Sequence, residues 1–194
     1  MLKTSSGISL YVALIHYPVV NKNGEVIASA VTNLDLHDIA RASKTYGVIG
    51  YYVVTPLEDQ KALVEKIISH WVTGVGAAYN PVRREALELI RVKDSVAAVI
   101  EDIRNRGEGM PKTVVTSARE YPRSIGYETF REMLETGSPY LLNFGTAWGL
   151  SESLISEADY VLNPIKGKCG YNHLSVRSAV SVILDRLMGV RSEE

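Results

Sequence analysis

Short runs of apolar residues punctuate this chain: Leu10–Ile15 (LYVALI), Gly50–Thr55 (GYYVVT), Lys112–Thr116 (KTVVT), Tyr140–Phe144 (YLLNF) and the briefer Tyr160–Leu162. None shows the polar alternation of a strand with one wet face. Each therefore reads as a strand buried on both sides of a parallel sheet. Ala86–Val92 fits a strand or a helix equally. Between the runs the period lengthens. Over 58–73, Leu63, Val64, Ile67, Ile68 and Trp71 fall on one stripe; over 94–106, so do Val96, Val99, Ile100 and Ile103. Tyr127, Phe130 and Leu134 line up within 124–136. Segment 35–47 opens on Asp35 and Asp38, a loose capping box, and stops near Gly47. Strands alternating with helices predict right-handed crossovers and a three-layer α/β sandwich around a mostly parallel sheet.

The last helix, about 172–189, carries two apolar clusters. Val176, Ala179, Val180, Ile183 and Leu187 form one stripe, and Leu174, Leu184 and Met188 lie on another side. Two faces fit a helix deep in its own domain, or one that also packs on a second subunit. The Gly- and Pro-containing segment 73–84 reads as a long loop, either functional or a plain connector. The tail 191–194 reads as frayed.

Composition narrows the class. The chain has 194 residues, 46% hydrophobic and 22% charged, which suits one globular domain over 1–194. Its single cysteine, Cys169, excludes an internal disulfide framework and suits a reducing compartment. No signal peptide or membrane span is expected, so the cytoplasm is the default. A net charge of −1 provides no global attraction for polyanions. RNA binding would need a local basic patch.

Candidate chemistry concentrates near the end of the chain. Strand Tyr140–Phe144 runs into GTAWGLSE (145–152), and strand Tyr160–Leu162 into NPIKGKCGYN (163–172). Thr116-Ser117-Ala118-Arg119 follows a third strand. Glycine-containing loops beyond the carboxyl ends of parallel strands form the usual ligand crevice of such a sheet. With the third, a small polar loop, they can wrap a nucleoside with apolar walls and backbone polar groups. The first strand runs into His16-Tyr17-Pro18 with no glycine, against a dinucleotide fold. There is no phosphate-binding Walker sequence, no metal spacing among the four histidines and no nucleophile elbow.

NFGTAWGLSESL (143–154) and NPIKGKCGYNHLSVRSAV (163–180) resemble the second and third motifs of SPOUT RNA methyltransferases, and TNLDLHDIARASKTYGV (32–48) resembles their first. The order and spacing cover most of the chain. The whole is most similar to a compact bacterial subfamily found alone or joined to a tRNA guanine-N1 methyltransferase. The resemblance implies a C-terminal deep trefoil knot, a homodimer through the last helix, S-adenosyl-L-methionine (SAM) as cofactor and RNA, tRNA first, as substrate. It implies cofactor contacts from Thr116, Ser117 and Ala118, from Phe144, Gly145, Trp148, Gly149 and Leu150, and from Asn163, Ile165, Gly170, Asn172 and Leu174. It places Arg41 where ribose-methylating relatives activate the acceptor hydroxyl, with Asn33 and Asp38 nearby. His173 stands where those relatives carry Asn, which leaves ribose oxygen and base nitrogen both open as acceptor. His173 itself reads as a general base or as a structural hydrogen bonder. Asp38 and Arg41, spaced i and i+3, also fit an ordinary surface ion pair. Arg83, Arg84, Arg119, Arg123, Lys166 and Lys168 are the basic candidates for RNA contact. The alternative function is a SAM-binding RNA module that lacks its own catalysis or needs a partner. A nucleotide-binding α/β protein outside the family is a further one.

Overall fold

The structure is a computed structural model that describes residues 7–190; the tail 191–194 lies outside them. In chain order it runs β1 (Ser9–Ile15), β2 (Val19–Val20), β3 (Val26–Ile27), α1 (Asn33–Thr45), β4 (Gly50–Val54), α2 (Glu58–Val72), α3 (Val75–Tyr79), α4 (Pro81–Leu87) and β5 (Ile90–Lys93). It continues through α5 (Val96–Ile103), β6 (Lys112–Thr116), β7 (Ser124–Ile125), α6 (Tyr127–Glu135), β8 (Pro139–Gly145), α7 (Glu152–Glu157), β9 (Tyr160–Leu162) and α8 (Val176–Met188).

Seven strands make one sheet in the order β5-β4-β1-β8-β6-β9-β7, and every neighbouring pair is parallel. The apolar runs fall where two-sided burial requires them. All seven residues of β1 and all five of β4 are buried. One face packs Leu10, Val12, Leu14, Leu142 and Phe144 against α1, α2, α4, α6 and α8. The other packs Tyr11, Ala13, Ile15, Leu141 and Val161 against α5 and α7. Strand β8 returns to the middle of the sheet, so the loops after β8, β6 and β9 leave it side by side.

Local chemistry moves several boundaries. Helix α1 starts at Asn33, because Thr32 is its cap. The Thr32 hydroxyl accepts from the Asp35 amide at 3.2 Å and donates to Asp35 Oδ2 at 2.7 Å, a reciprocal pair three residues earlier than the sequence suggests. Segment 73–84 is not a loop. Asn80 ends α3 and its side chain caps Arg83, while Pro81 opens α4 at the one place where a missing amide costs nothing. Ala86–Val92 is both elements in turn, the end of α4 and then β5.

Helix α8 begins only at Val176, capped by Ser175, and leaves 163–175 irregular. Its two apolar clusters do not survive as two faces. Val180, Ile183, Leu184 and Leu187 are all buried inside the chain's own core, with Met188 packed against them. Leu174 alone of the second cluster stays exposed. Burial against α1, α6 and β8 accounts for that cluster without a second subunit.

Candidate active site

The loop after β6 is held by short-range bonds. Thr116 Oγ1 donates to the Asn143 carbonyl at 3.0 Å, and Ser117 Oγ accepts from the Arg119 amide at 3.0 Å. The Ala118 carbonyl accepts from Asn172 Nδ2 at 2.9 Å, which ties this loop to the one after β9. In the loop after β8, Phe144 and Leu150 are buried. A Cβ on Gly145 would lie 2.6 Å from the Leu150 amide, so glycine is what lets this loop double back. Gly149 takes φ +116° with open space beside it. In the loop after β9, the Asn163 amide donates to Ile125 O at 2.9 Å and Ile165 packs on the core. Gly170 is exposed with open space beside it.

Trp148, Tyr171 and Leu174 stand exposed on these loops, large apolar side chains that the fold itself does not cover. Apolar cover, free backbone groups and little bulk beside the glycines are what an adenosine with a sulfonium side chain needs. The residues present fit that group. Two open clefts are present among the described residues, and neither is walled by these loops. One, of about 570 Å³, lies between α5 and α7 on the opposite side from α1. The other, of about 770 Å³, lies between α1 and α8 and abuts the end of the third loop at Ser175.

Arg41, Asp38, Arg177 and Ser178 line that second cleft. Asp38 does not pair with Arg41. Its Oδ2 lies 3.4 Å from Arg177 Nε, and the same guanidinium reaches buried Asp35 through Nη1 at 2.9 Å. Among the described residues Arg41 therefore has no carboxylate partner. Asn33, the first residue of α1, is exposed. His173 is exposed beside the Tyr171 ring, 6.4 Å between centroids.

The basic candidates divide. Arg83 stacks over Trp71 at 4.5 Å, Arg84 pairs with Glu88 at 2.8 Å, and Lys166 pairs with Glu120 at 2.6 Å. Arg123 donates to the Ala158 and Ile155 carbonyls and so closes the end of α7. Arg119 and Lys168 are exposed and form no ion pair among the described residues.

Sequence reasoning missed Arg177, Asp35 and a partly buried group made of His16, Ser29 and Thr146. Arg177 had a faint signal: it interrupts the start of the apolar stripe of α8. Among the described residues no group of three His, Cys, Asp or Glu is placed to hold a metal ion, and no helix is long and apolar enough to cross a membrane.

A family model described as SAM-dependent RNA methyltransferase matches residues 9–189. The tRNA (guanine-N(1)-)-methyltransferase of Oleidesulfovibrio alaskensis is 46% identical over 183 residues, which are 94% of this chain and 43% of that protein. The protein of the same name from Nitratidesulfovibrio vulgaris is 48% identical over 187 residues, with the same shares. The chain thus spans less than half the length of these relatives. Among solved structures, the TrmH/SpoU tRNA modifying enzyme of A. aeolicus superposes with a TM-score of 0.56 at 19% identity, over 93% of this chain and 74% of that one. That likeness concerns the fold.

Proposed function

The chain belongs to the family of SAM-dependent RNA methyltransferases, and on that premise we propose that it methylates tRNA, as a homodimer, with Arg41 at the acceptor nucleotide. The two tRNA-methylating relatives support the substrate class. The observation that carries the site is Arg41, which has no carboxylate partner among the described residues: Arg177 pairs with Asp38, and Arg41 lines a cleft that ends where the third loop ends.

SAM supplies a methyl group on a sulfonium that leaves readily. The chain's own task is to align an acceptor and manage one proton. Backbone groups of 116–118, 144–150 and 163–174 hold the cofactor, while Trp148 and Leu174 cover its apolar parts. Arg41, as a fixed cation, draws the acceptor nucleotide in and stabilises the oxygen or nitrogen as it loses its proton. Arg119 and Lys168, free of carboxylates, are the better phosphate contacts. Arg83, Arg84, Arg123 and Lys166 spend their charge on the fold. Asp38 holds Arg177, and Asn33 and His173 take supporting places at the rim.

A second copy seated on the α1–α8 cleft would bring another Ser175 and Arg41 alongside the first. A C-terminal knot belongs to the same proposal, and the path of 163–175 is compatible with it. This segment leaves β9, passes Ala118 where Asn172 bonds, and only then enters α8 against α1 and α6. One methyltransferase unit over 1–194 in the cytoplasm completes the reading.

The test is transfer from labelled SAM to unmodified tRNA by the purified chain. Mass mapping of the modified nucleoside identifies the acceptor atom. Turnover lost in Arg41→Ala with SAM binding intact is the expected result; full turnover in that variant rejects the role of Arg41.

A further inference from the structure

Where β1 ends, a chain of polar groups runs inward from the second loop, and the direction of its protons follows from counting donors. Thr146 Oγ1 lies 2.9 Å from the Ile15 carbonyl, which can only accept, so the threonine commits its one proton there. Ser29 Oγ, 2.5 Å from Thr146 Oγ1, must then be the donor of that pair. The His16 carbonyl, 3.5 Å from Ser29 Oγ, is the poorer acceptor. With its proton in use, Ser29 Oγ accepts from His16 Nδ1 at 3.0 Å. The imidazole is therefore the neutral Nδ1–H tautomer.

The other ring nitrogen agrees. His16 is fully buried and its Nε2 has no partner, as befits a bare lone pair rather than a charged donor. Burial lowers the ring's pKa to about 4, and nearby Asp35 only partly offsets this. An unpartnered buried acceptor is costly, so the ring is held here for what its Nδ1 does.

What it holds is one point, Thr146, of a loop whose far end is pinned separately to Val19 and Val20. Trp148 is 65% exposed and contributes no anchor. Ala147 sits at φ +51°, a conformation unfavourable for a residue with a Cβ. Backbone bonds to Val20 pin Trp148 and Gly149, and the Ile15 carbonyl and the relay pin Thr146.

We propose that His16, acting through Ser29, is a positioning residue for the second cofactor loop, setting Thr146 and the Gly145–Leu150 backbone in the form that receives SAM. The proposal rests on the assignment of 144–150 as a cofactor loop.

Calorimetric titration of the full chain with SAM tests it, at a temperature well below each variant's melting point. His16→Leu is expected to raise the Kd about tenfold, the loss of one buried hydrogen bond. His16→Asn, whose amide N–H can stand where Nδ1–H stands, is expected to bind within about twofold of the parent chain. His16→Gln, which reaches toward the Nε2 position instead, is expected to bind as poorly as the leucine variant. Unchanged affinity in a folded His16→Leu overturns the proposal, and so does rescue by glutamine equal to that by asparagine. Should His16→Leu not fold, Ser29→Ala breaks the same relay at a half-buried site, and unchanged affinity there is equally fatal. A parent chain with no SAM affinity at all would instead sink the loop assignment itself.

Discussion

Two charged clusters lie on opposite faces of one sheet and are completed to different degrees. Around Asp102, on the α5 face, the carboxylate meets three donors. The Tyr52 hydroxyl donates to Oδ2 at 2.7 Å, Arg106 Nε to the same oxygen at 2.8 Å, and Lys93 Nζ meets Oδ1 at 2.7 Å. Burial pushes this carboxyl up, but the three donors outweigh it and hold the group well below the usual carboxylate range. On the α1–α8 face Arg177 pairs with both Asp35 and Asp38, and among the described residues no carboxylate is left for Arg41. A closed network braces a helix against strands. A cation left unmatched beside a cleft is available to a polyanionic partner. The contrast separates a cluster that serves stability from one that serves chemistry.

The sharpest way to break the comparison is to remove the central group from each side. Arg41→Ala should lower kcat about a hundredfold or more, with the SAM Kd and melting temperature unchanged, as read by tRNA methylation and calorimetry. Asp102→Asn should do the reverse. It should cost about 2–3 kcal/mol in urea unfolding and leave turnover of the folded enzyme intact. A kcat loss in the asparagine variant would erase the distinction.

His16 adds a pH signature on the α1 side. Its pKa falls from the ordinary 6.5 to about 4 on folding. The unfolded chain then takes up a proton at a pH where the folded one does not, so stability is complete above pH 6.5 and declines as pH falls toward 4. Linkage gives a loss of about 2 kcal/mol by pH 5. Melting curves of the parent chain and His16→Asn between pH 5 and 7 check it, since the asparagine variant should lack that part of the slope.

The smallest effect concerns Arg177. Arg177→Lys keeps a charge for Asp35 but loses the fork that also reaches Asp38. Asp38 should then turn to Arg41, one helical turn away, and kcat should fall about twofold, the scale of an i,i+3 pair. Adding Asp38→Asn should restore it. No restoration would mean that Arg177 acts through some route other than the freedom of Arg41.

Much of the architecture was legible because it depends on near neighbours. The uninterrupted runs at 10–15, 112–116 and 160–162 became strands with almost those bounds, since two-sided burial removes polar alternation whatever the partner strand. Misreadings occurred where one capping residue decides. Thr32 and Ser175 set the starts of α1 and α8, and Asn80 with Pro81 turned an apparent loop into two helices. The second apolar side of α8 left two readings open for another reason. Periodicity reports that a side is apolar, and it does not say which element covers it; α1, α6 and β8 cover Leu184 from within.

Taken alone, the sequence determined an α/β chain with a parallel sheet and three loops at its carboxyl edge, two of them glycine-bearing, because periodicity and backbone freedom are local properties of residues. Tertiary structure alone decided which charges are neutralised. Asp38 lies three residues from Arg41 yet is claimed by Arg177, which also reaches Asp35 from 142 positions away. Coulomb and hydrogen-bond energies depend on distance in space, and folding sets that distance without regard to separation along the chain.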